Sequence, residues 1–430
     1  MQLQVAFDRS GLELNLPDGF GWRVLETRNA EPLANVAQAI EDALDAPVAG
    51  PPLSELAKGR RSAAISVCDI TRPVPNRVVL PHVLKRLEAA GIARDAIAIL
   101  IATGLHRPAT QAEIEEILGP EIARAYRVVN HRARELSEHR HLGSTAAGTP
   151  VYIDERFLST DLHVTAGLIE PHLMLGFSGG RKLVVPGVAG QDTIKRIHSP
   201  HFMRDPRAVE GSIEGNTLHS ELLEIARMAG HHFMVDVSIT RDRRVSGVFA
   251  GEPEQAHAAG MRFLSKAMLH RLETPVDAAI TTAAGYPLDL TFYQSIKGIT
   301  AAAQIVKPGG RILLVAACTE GSGSPEFTGF LRAGWTDAEY LERITQAPVI
   351  VDQWQLEKLA LVTRNVDVLY YVPGLSADFY PGLWGKAYES PQAAVAALVD
   401  GMPAGAEIAV IPEGPYVLAR TLQPALNVTS

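Results

Sequence analysis

Residues 164–200, VTAGLIEPHLMLGFSGGRKLVVPGVAGQDTIKRIHSP, form the stretch around which the rest of the chain is organised. Two histidines, His172 and His198, lie on either side of a glycine-rich basic loop that ends at Lys182. Glycine lets backbone N–H groups converge on an anion, because no Cβ obstructs the approach and a positive φ costs little. Apolar residues flank the loop, so Lys182 is expected in a cleft, where a lysine needs a partner or a chemical role. The stretch therefore predicts a cofactor cradle with imidazoles beside it.

Strand-like apolar runs at residues 62–68 and 96–102 are each followed by a polar loop and then by a helical pattern. The run at 162–167 enters the central stretch in the same way. This alternation is typical of a parallel α/β sheet, in which ligands collect at the carboxyl ends of the strands. The polar residues at those ends are Asp69, Thr71, Arg72 and His106. We therefore expect these loops to lie beside the 164–200 stretch.

The 430 residues are too many for one ordinary hydrophobic core. We predict an α/β fold with a first domain at residues 1–272 and a second α/β domain at 275–405. The second domain opens with a strand–helix–strand unit at 276–282, 291–306 and 311–317. The tail, about 406–430, is expected to pack back onto the first domain.

Composition excludes several classes of protein. Hydrophobic residues make up 47% of the chain and charged residues 20%, as in soluble globular proteins. The net charge of −8 disfavours non-specific nucleic-acid binding, and no run of about 18 apolar residues indicates a membrane span. The two cysteines, Cys68 and Cys318, support neither a disulfide framework nor a cysteine-based zinc site. The N-terminus lacks the pattern of a signal peptide, so the expected compartment is the cytoplasm.

Each candidate histidine also has an ordinary structural explanation. His106 and His172 could be solvated or structural, but in converging loops the pair could exchange protons near pH 7. His198 follows a short helical run at 192–197, so it could be a helix C-cap favoured by the dipole or a metal ligand. These alternatives stay open at the level of the residues alone.

The polar candidates outside the central stretch also have both a functional and a structural interpretation. Arg72 could clamp a carboxylate through its paired donors, or it could form a salt bridge with Asp69. Gln294 and Lys297 lie three residues apart, hence on one helix face, which could bind substrate or simply be exposed. Neither G-x-G-x-x-G nor the Walker A spacing occurs, which disfavours an ordinary nicotinamide dehydrogenase.

Eight short polar segments occur in a fixed order along the chain: 69–73 (DITRP), 103–107 (TGLHR), 170–172 (EPH), 178–182 (SGGRK), 197–200 (IHSP), 214–216 (EGN), 285–289 (GYPLD) and 293–298 (YQSIKG). Each segment is a weak signal alone. In their order and joint presence they resemble the lactate racemase family that uses the nickel-pincer nucleotide.

The resemblance implies two α/β domains with the active site in the cleft between them. It implies a nicotinate-derived mononucleotide whose two sulfur-containing arms and one ring carbon hold Ni(II). Lys182 would link to one arm as a thioamide, and His198 would complete the square-planar nickel set, a geometry that suits Ni(II) better than zinc. Leu183 departs from the smaller or polar residue of many relatives, so attachment and simple binding at Lys182 both stay open.

The resemblance also implies roles for the remaining residues. His106 and His172 would be the acid/base pair on opposite faces of the substrate. The substrate carboxylate would be held by Arg72, Tyr293, Gln294 and Lys297. The phosphate end of the cofactor would be bound or braced by Asp69, Thr71, Ser178, Gly179, Gly180 and Arg181.

The activity implied is inversion of C2 in a 2-hydroxy acid such as lactate or malate. A positioned histidine contributes roughly 10²–10⁴ in rate, which is too little to remove the C2 hydrogen as a proton beside a carboxylate. Transfer of hydride to the cofactor and back to the other face avoids this difficulty. The alternatives are a sugar-acid C2 epimerase of the same chemistry and a non-catalytic nickel-nucleotide carrier. Cofactor maturation proteins are the expected macromolecular partners.

Overall fold

The computed structural model describes residues 1–422. Twenty strands were assigned within that part of the chain. They are β1 Gln2–Val5, β2 Leu12–Asn15, β3 Gly21–Val24, β4 Ala63–Cys68, β5 Ile97–Ala102, β6 Arg127–Asn130, β7 His139–Ser144, β8 Pro150–Asp154, β9 Leu162–Leu168, β10 Pro171–His172, β11 Gly176–Phe177, β12 Phe233–Ile239, β13 Val245–Gly251, β14 His270–Leu272, β15 Val276–Thr282, β16 Val306–Val315, β17 Asp367–Tyr371, β18 Lys386–Ala387, β19 Glu407–Ile411 and β20 Ala419–Thr421.

Fifteen α-helices connect these strands within the described residues. They are α1 Val36–Asp45, α2 Leu53–Leu56, α3 Asn76–Ala89, α4 Gln111–Leu118, α5 Pro120–Ala125, α6 Glu155–Leu158, α7 Gln191–Ile197, α8 Pro200–Met203, α9 Thr217–Met228, α10 Pro253–Met268, α11 Phe292–Ala303, α12 Pro325–Arg332, α13 Asp337–Gln346, α14 Gln353–Thr363 and α15 Pro391–Val399. Within residues 1–422, no helix has both the length and the apolar character needed to cross a bilayer.

The first lobe is a six-stranded sheet with the order β13-β12-β9-β4-β5-β6, flanked by helices. All of its neighbouring pairs are parallel except β12 with the edge strand β13. β4, β5 and β9 are continuous apolar runs that are buried along almost their whole length, as expected of central parallel strands covered on both faces. The predicted parallel α/β architecture is confirmed.

The second lobe is an all-parallel six-stranded sheet with the order β18-β17-β16-β15-β19-β3. β3 pairs with β19 from Gly21↔Glu407 to Val24↔Val410. β3, expected in the first domain, and β19, expected in the tail that returns to it, thus lie in the second sheet, whereas Leu418 further along that tail packs against Ile169 and Met234 of the first lobe. An apolar pattern fixes which face of a strand is buried but not its hydrogen-bonding neighbour. Residues 423–430 of the predicted tail lie outside the described residues.

The two lobes meet along α14, which is buried almost throughout despite its polar residues. Arg204, which follows α8, forms an ion pair with Glu357 of α14 at 2.7 Å. Lys358 Nζ donates to the carbonyls of Met203 and Ala208 at 2.6 and 2.8 Å. These contacts fix the segment after His198 against the second lobe.

Candidate active site between the lobes

Asp69 and His106 form a hydrogen-bonded pair at the carboxyl ends of β4 and β5. Because these strands are parallel neighbours, the loops that follow them meet, and His106 Nδ1 lies 2.7 Å from Asp69 Oδ2. Asp69 Oδ1 accepts from the Thr71 hydroxyl at 2.5 Å and from the Thr71 N–H at 3.1 Å. Burial raises the pKa of Asp69, but the hydrogen bonds from His106 and Thr71 outweigh it and hold that pKa below its usual value.

Asp69 and Thr71 were predicted to bind the phosphate end of the cofactor or to brace that site. Their hydrogen bonds run to each other and to His106, so they orient the imidazole, and contact with the cofactor stays a prediction. The His106 side chain remains 61% exposed. With Nδ1 held by the carboxylate, Nε2 is the ring nitrogen left to exchange a proton.

His172 lies in the small hairpin formed by β10 and β11, in a very different environment. Its Nδ1 accepts a long hydrogen bond of 3.4 Å from the Met174 N–H. Burial lowers the pKa of His172 well below its usual value, and the charges of Lys182, Arg72 and Lys297 lower it further. The imidazole is therefore neutral near pH 7 and is able to accept a proton.

Arg72 forms an ion pair with Glu170, at 2.7 Å between Nε and Oε1. Its remaining hydrogen bond runs from Nη1 to the Thr71 carbonyl at 3.1 Å. The alternative of an Arg72–Asp69 salt bridge is therefore wrong, because Asp69 is engaged by His106. Glu170 was present in the matched EPH segment, but nothing in the local pattern indicated its partner.

Two lysines from opposite lobes have strongly perturbed pKa values. Burial, and after it the charge of Arg72, lowers the pKa of Lys182 and of Lys297 to about 7. Lys297 Nζ donates to Gln294 Oε1 at 2.5 Å, which confirms that these two side chains share one face of α11. Among residues 1–422, no hydrogen bond or ion pair reaches Lys182 Nζ.

His198 is the C-cap of α7, as the sequence suggested, and one of its ring nitrogens remains available to a ligand. Its Nδ1 donates to the Ile194 carbonyl at 2.8 Å, which fixes the tautomer and leaves a lone pair on Nε2. Burial lowers its pKa to about 4, so the ring is neutral. A neutral imidazole with a fixed tautomer is the form that binds a metal ion.

Trp354 of α14 connects His198 to the second lobe. Its ring lies 4.4 Å from the His198 ring, centroid to centroid, and its Nε1 donates to the Tyr293 hydroxyl at 3.2 Å. Tyr293 and His198, predicted separately, are thus joined through one indole. Sequence analysis missed Trp354, since a lone tryptophan in a helix carries no signal of function.

The polar groups of the loop at 178–181 bond to two neighbouring strands. The Gly180 N–H donates to Asp236 Oδ2 at 2.6 Å, and a Cβ on Gly179, whose φ is +82°, would lie 2.4 Å from the same oxygen. The Ser178 hydroxyl donates to the Leu168 carbonyl at 2.9 Å. These bonds hold the loop against β9 and β12, and its role in binding or bracing the phosphate end of the cofactor stays a prediction.

Arg181 is likewise turned into the protein. Its guanidinium is fully buried and donates to the carbonyls of Leu175 and Phe177 at 3.0 and 3.1 Å, and it also faces the His257 ring at 3.2 Å. These contacts brace the turn that presents Lys182, and a direct contact of Gly180 or Arg181 with the cofactor stays a prediction.

The candidate residues come from both lobes, and some of them act on one another electrostatically across the interface. Arg72, His106, His172, Lys182 and His198 come from the first lobe. The second lobe contributes Tyr293, Gln294, Lys297 and Trp354. The charge of Lys297 lowers the pKa of both Lys182 and His172 across the interface.

Comparisons with known proteins agree on one family. The model of the lactate racemase N-terminal domain matches residues 7–211, and that of the C-terminal domain matches residues 272–419. The lactate racemase of Lactiplantibacillus plantarum is 33% identical over 387 residues, which cover 89% of this chain and 91% of that protein. The lactate racemase of Thermoanaerobacterium thermosaccharolyticum is 29% identical over 423 residues, covering 97% of this chain and 99% of that protein.

Solved structures give the same result. The lactate racemase apoprotein from Thermoanaerobacterium thermosaccharolyticum superposes with a TM-score of 0.89, covering 98% of this chain and 100% of that one. A crystal structure of a protein from Thermotoga maritima, 16% identical, has a TM-score of 0.67 over 92% of this chain and 99% of that one, and shows the shared fold alone. With both domain models matched and a relative 33% identical over 89% of this chain, the chain belongs to the lactate racemase family.

Proposed function

We propose that this protein is a racemase or epimerase that inverts the C2 centre of a short 2-hydroxy acid with the help of a nickel-pincer nucleotide. The observation that carries the proposal is the pair of imidazoles. His106 is exposed and bonded to a carboxylate, whereas His172 is half-buried among cations. Each of the two histidines can exchange a proton, their environments are opposite, and side chains that bind anions lie beside them. This arrangement suits a reaction that transfers a proton on either face of one carbon atom.

Arg72 and Lys297 are the groups proposed to anchor the substrate carboxylate. Gln294 already holds the Lys297 ammonium, and Glu170 already holds Arg72 Nε, so both cations are oriented before substrate arrives. A carboxylate beside Lys297 favours its charged form and raises its pKa above the value of about 7 in the free protein. Binding of the anion therefore also charges the lysine that holds it.

The two histidines are proposed to exchange the proton of the C2 hydroxyl, one on each face. Asp69 holds His106 Nδ1 and leaves Nε2 for the exchange, and the lowered pKa of His172 keeps its imidazole neutral before the proton arrives. Lys182 and His198 would hold the cofactor, which would supply an acceptor and donor of hydride at C2. The histidine that takes the hydroxyl proton in one direction gives it back in the other.

Lys182 and His198 are the residues proposed to hold the cofactor. The Lys182 amine has no partner among the described residues, and its pKa of about 7 leaves much of it neutral and nucleophilic at physiological pH. That state suits a covalent link to the cofactor. His198 offers Nε2 to the metal, with Nδ1 fixed by the Ile194 carbonyl.

The proposal is tested with protein produced together with the cofactor maturation proteins. A chirality-resolved screen of lactate, malate and sugar acids identifies the substrate, and nickel content is measured in parallel. His106→Ala and His172→Ala should retain nickel and lose turnover, whereas Lys182→Ala and His198→Ala should lose nickel. His141→Ala, on a strand away from the site, is the matched control. Racemisation that survives loss of nickel, or a loaded protein that racemises none of these acids, would refute the proposal.

A further inference from the structure

A second cluster of metal-binding side chains lies in the first lobe, apart from the candidate active site. It consists of His131 after β6, His139 at the start of β7 and Asp154 at the end of β8. Within residues 1–422 these are grouped so that one ligand atom of each lies within 4.8 Å of the others. The His131 and His139 rings are perpendicular, with centroids 5.0 Å apart.

The hydrogen bonds of the two imidazoles fix their tautomers. His131 Nε2 donates to the Ala189 carbonyl at 2.9 Å, and His139 Nδ1 donates to the Glu135 carbonyl at 2.9 Å. A carbonyl only accepts, so both of these nitrogens carry hydrogen. The other two nitrogens, His131 Nδ1 and His139 Nε2, are the ones left to bind a further group.

These remaining nitrogens are not satisfied by the protein alone. His139 Nε2 is buried and has no hydrogen-bond partner in the described part of the chain. His131 Nδ1 lies 3.0 Å from Asp154 Oδ2, so two lone pairs face each other unless the ring is doubly protonated. Even a doubly protonated His131 leaves His139 Nε2 without a hydrogen-bond partner, and burying an unpaired nitrogen costs free energy.

Asp154 has one acceptor position to offer. Its Oδ1 accepts from the Arg156 N–H and Nε, both at 2.9 Å, and its Oδ2 accepts from Arg156 Nη2 at 2.6 Å. A carboxylate has about four lone-pair positions, so one on Oδ2 remains, and it is directed at His131 Nδ1. Arg156 also pairs with Glu138, which offsets its charge.

We propose that His131 Nδ1, His139 Nε2 and Asp154 Oδ2 together bind one divalent transition-metal ion, zinc being the best match. One cation would accept the lone pair of the buried His139 Nε2. It would also bind His131 Nδ1 and Asp154 Oδ2, so that their lone pairs no longer face each other without a partner between them. Two imidazoles and one carboxylate form a donor set that suits zinc and leaves a fourth position for water. The carbonyl and guanidinium partners are the outer contacts that orient such ligands.

The position of the site gives the ion a structural consequence. His131 bonds to Ala189, and the Asp154 N–H donates to the Val188 carbonyl at 2.9 Å. These two residues lead into α7, which ends at His198. Zinc at this site would therefore stiffen the start of the helix that carries the proposed nickel ligand, although the site itself does not depend on the proposed activity.

The test uses the full chain produced without cofactor maturation proteins, stripped with a chelator and titrated with zinc chloride by calorimetry. Zinc content is measured by mass spectrometry, and Co(II) substitution reports nitrogen and oxygen ligation by its visible spectrum. His139→Phe keeps an aromatic ring against His131 but removes the ligand nitrogen. His141→Ala, two residues along the same strand, and His198→Ala, in the proposed nickel site, are the controls.

We expect wild type and both controls to bind about one zinc ion per chain, and His139→Phe to bind it more than about tenfold more weakly. The His139→Phe protein should keep the wild-type Tm in chelator and lose the increase in Tm that zinc gives the wild type. No stoichiometric zinc in wild type, equal binding by His139→Phe, or loss of zinc in His198→Ala would each overturn the proposal.

Discussion

Replacing Asp69 by asparagine tests the orienting role of its carboxylate with almost no change in volume. The Thr71 N–H and hydroxyl hold Oδ1, so the new amide would direct its NH₂ at His106 Nδ1. That contact favours the tautomer with hydrogen on Nε2, which cannot accept a proton there. The variant also loses a hydrogen bond to a charged group.

Such a hydrogen bond contributes about 1.5–3 kcal/mol. If it stabilises protonated His106 in the transition state, kcat should fall by about 10- to 150-fold, since about 1.36 kcal/mol is a factor of ten. The assay follows racemisation of each enantiomer by chiral chromatography, with nickel content as the control. Because enantiomers have equal free energy, kcat/KM must stay equal in the two directions. Unchanged kcat, or loss of nickel from Asp69→Asn, would refute the orienting role.

Three further predictions concern the substrate anchor, the lobe interface and the loop before Lys182. Lys297→Met should raise KM by about 10- to 150-fold, because it removes a charge-assisted hydrogen bond of about 1.5–3 kcal/mol to the substrate carboxylate. The control is Lys307→Met, at an exposed ion pair with Asp277. An unchanged KM in Lys297→Met would count against its role as the substrate anchor. Arg204→Ala should lower the free energy of unfolding by about 3–5 kcal/mol in urea, because it leaves Glu357 buried without its partner, whereas Arg94→Ala, at a surface pair, should cost less than about 1 kcal/mol. Burial raises the pKa of Asp236 to about 7, so the folded protein holds a proton that the unfolded chain, with a pKa of about 3.9, releases. This group therefore makes stability fall as pH rises from about 4 to about 7, and the difference in unfolding free energy between wild type and Asp236→Asn should vary over that range; a constant difference would contradict the assignment.

The sequence predicted those features that depend on local pattern. The apolar runs of β4, β5 and β9, each followed by a loop and a helix, favoured buried parallel strands, and parallel neighbours place Asp69 and His106 at the same edge. Helical spacing placed Gln294 and Lys297 on one face, and the structure shows them hydrogen-bonded. In each case the physical cause acts within one element or between adjacent strands.

Features that depend on long-range pairing could not be predicted in this way. Arg72 pairs with Glu170 and not with the nearby Asp69, because His106 takes the Asp69 carboxylate. Gly180 donates to Asp236, a residue of the strand β12, and nothing in the glycine-rich composition of the loop indicated that partner. The pairing of β3 with β19 joins opposite ends of the chain. Such choices are made by packing, which local composition does not encode.

The central claim is that C2 is inverted by hydride return, with His106 and His172 handling only the hydroxyl proton. It is tested most directly by incubating the loaded protein with one enantiomer of its substrate in D₂O. The account predicts that the opposite enantiomer forms with its original hydrogen at C2, and that both histidine variants abolish its formation. Deuterium at C2 of the product would show removal of that hydrogen as a proton and would contradict the account.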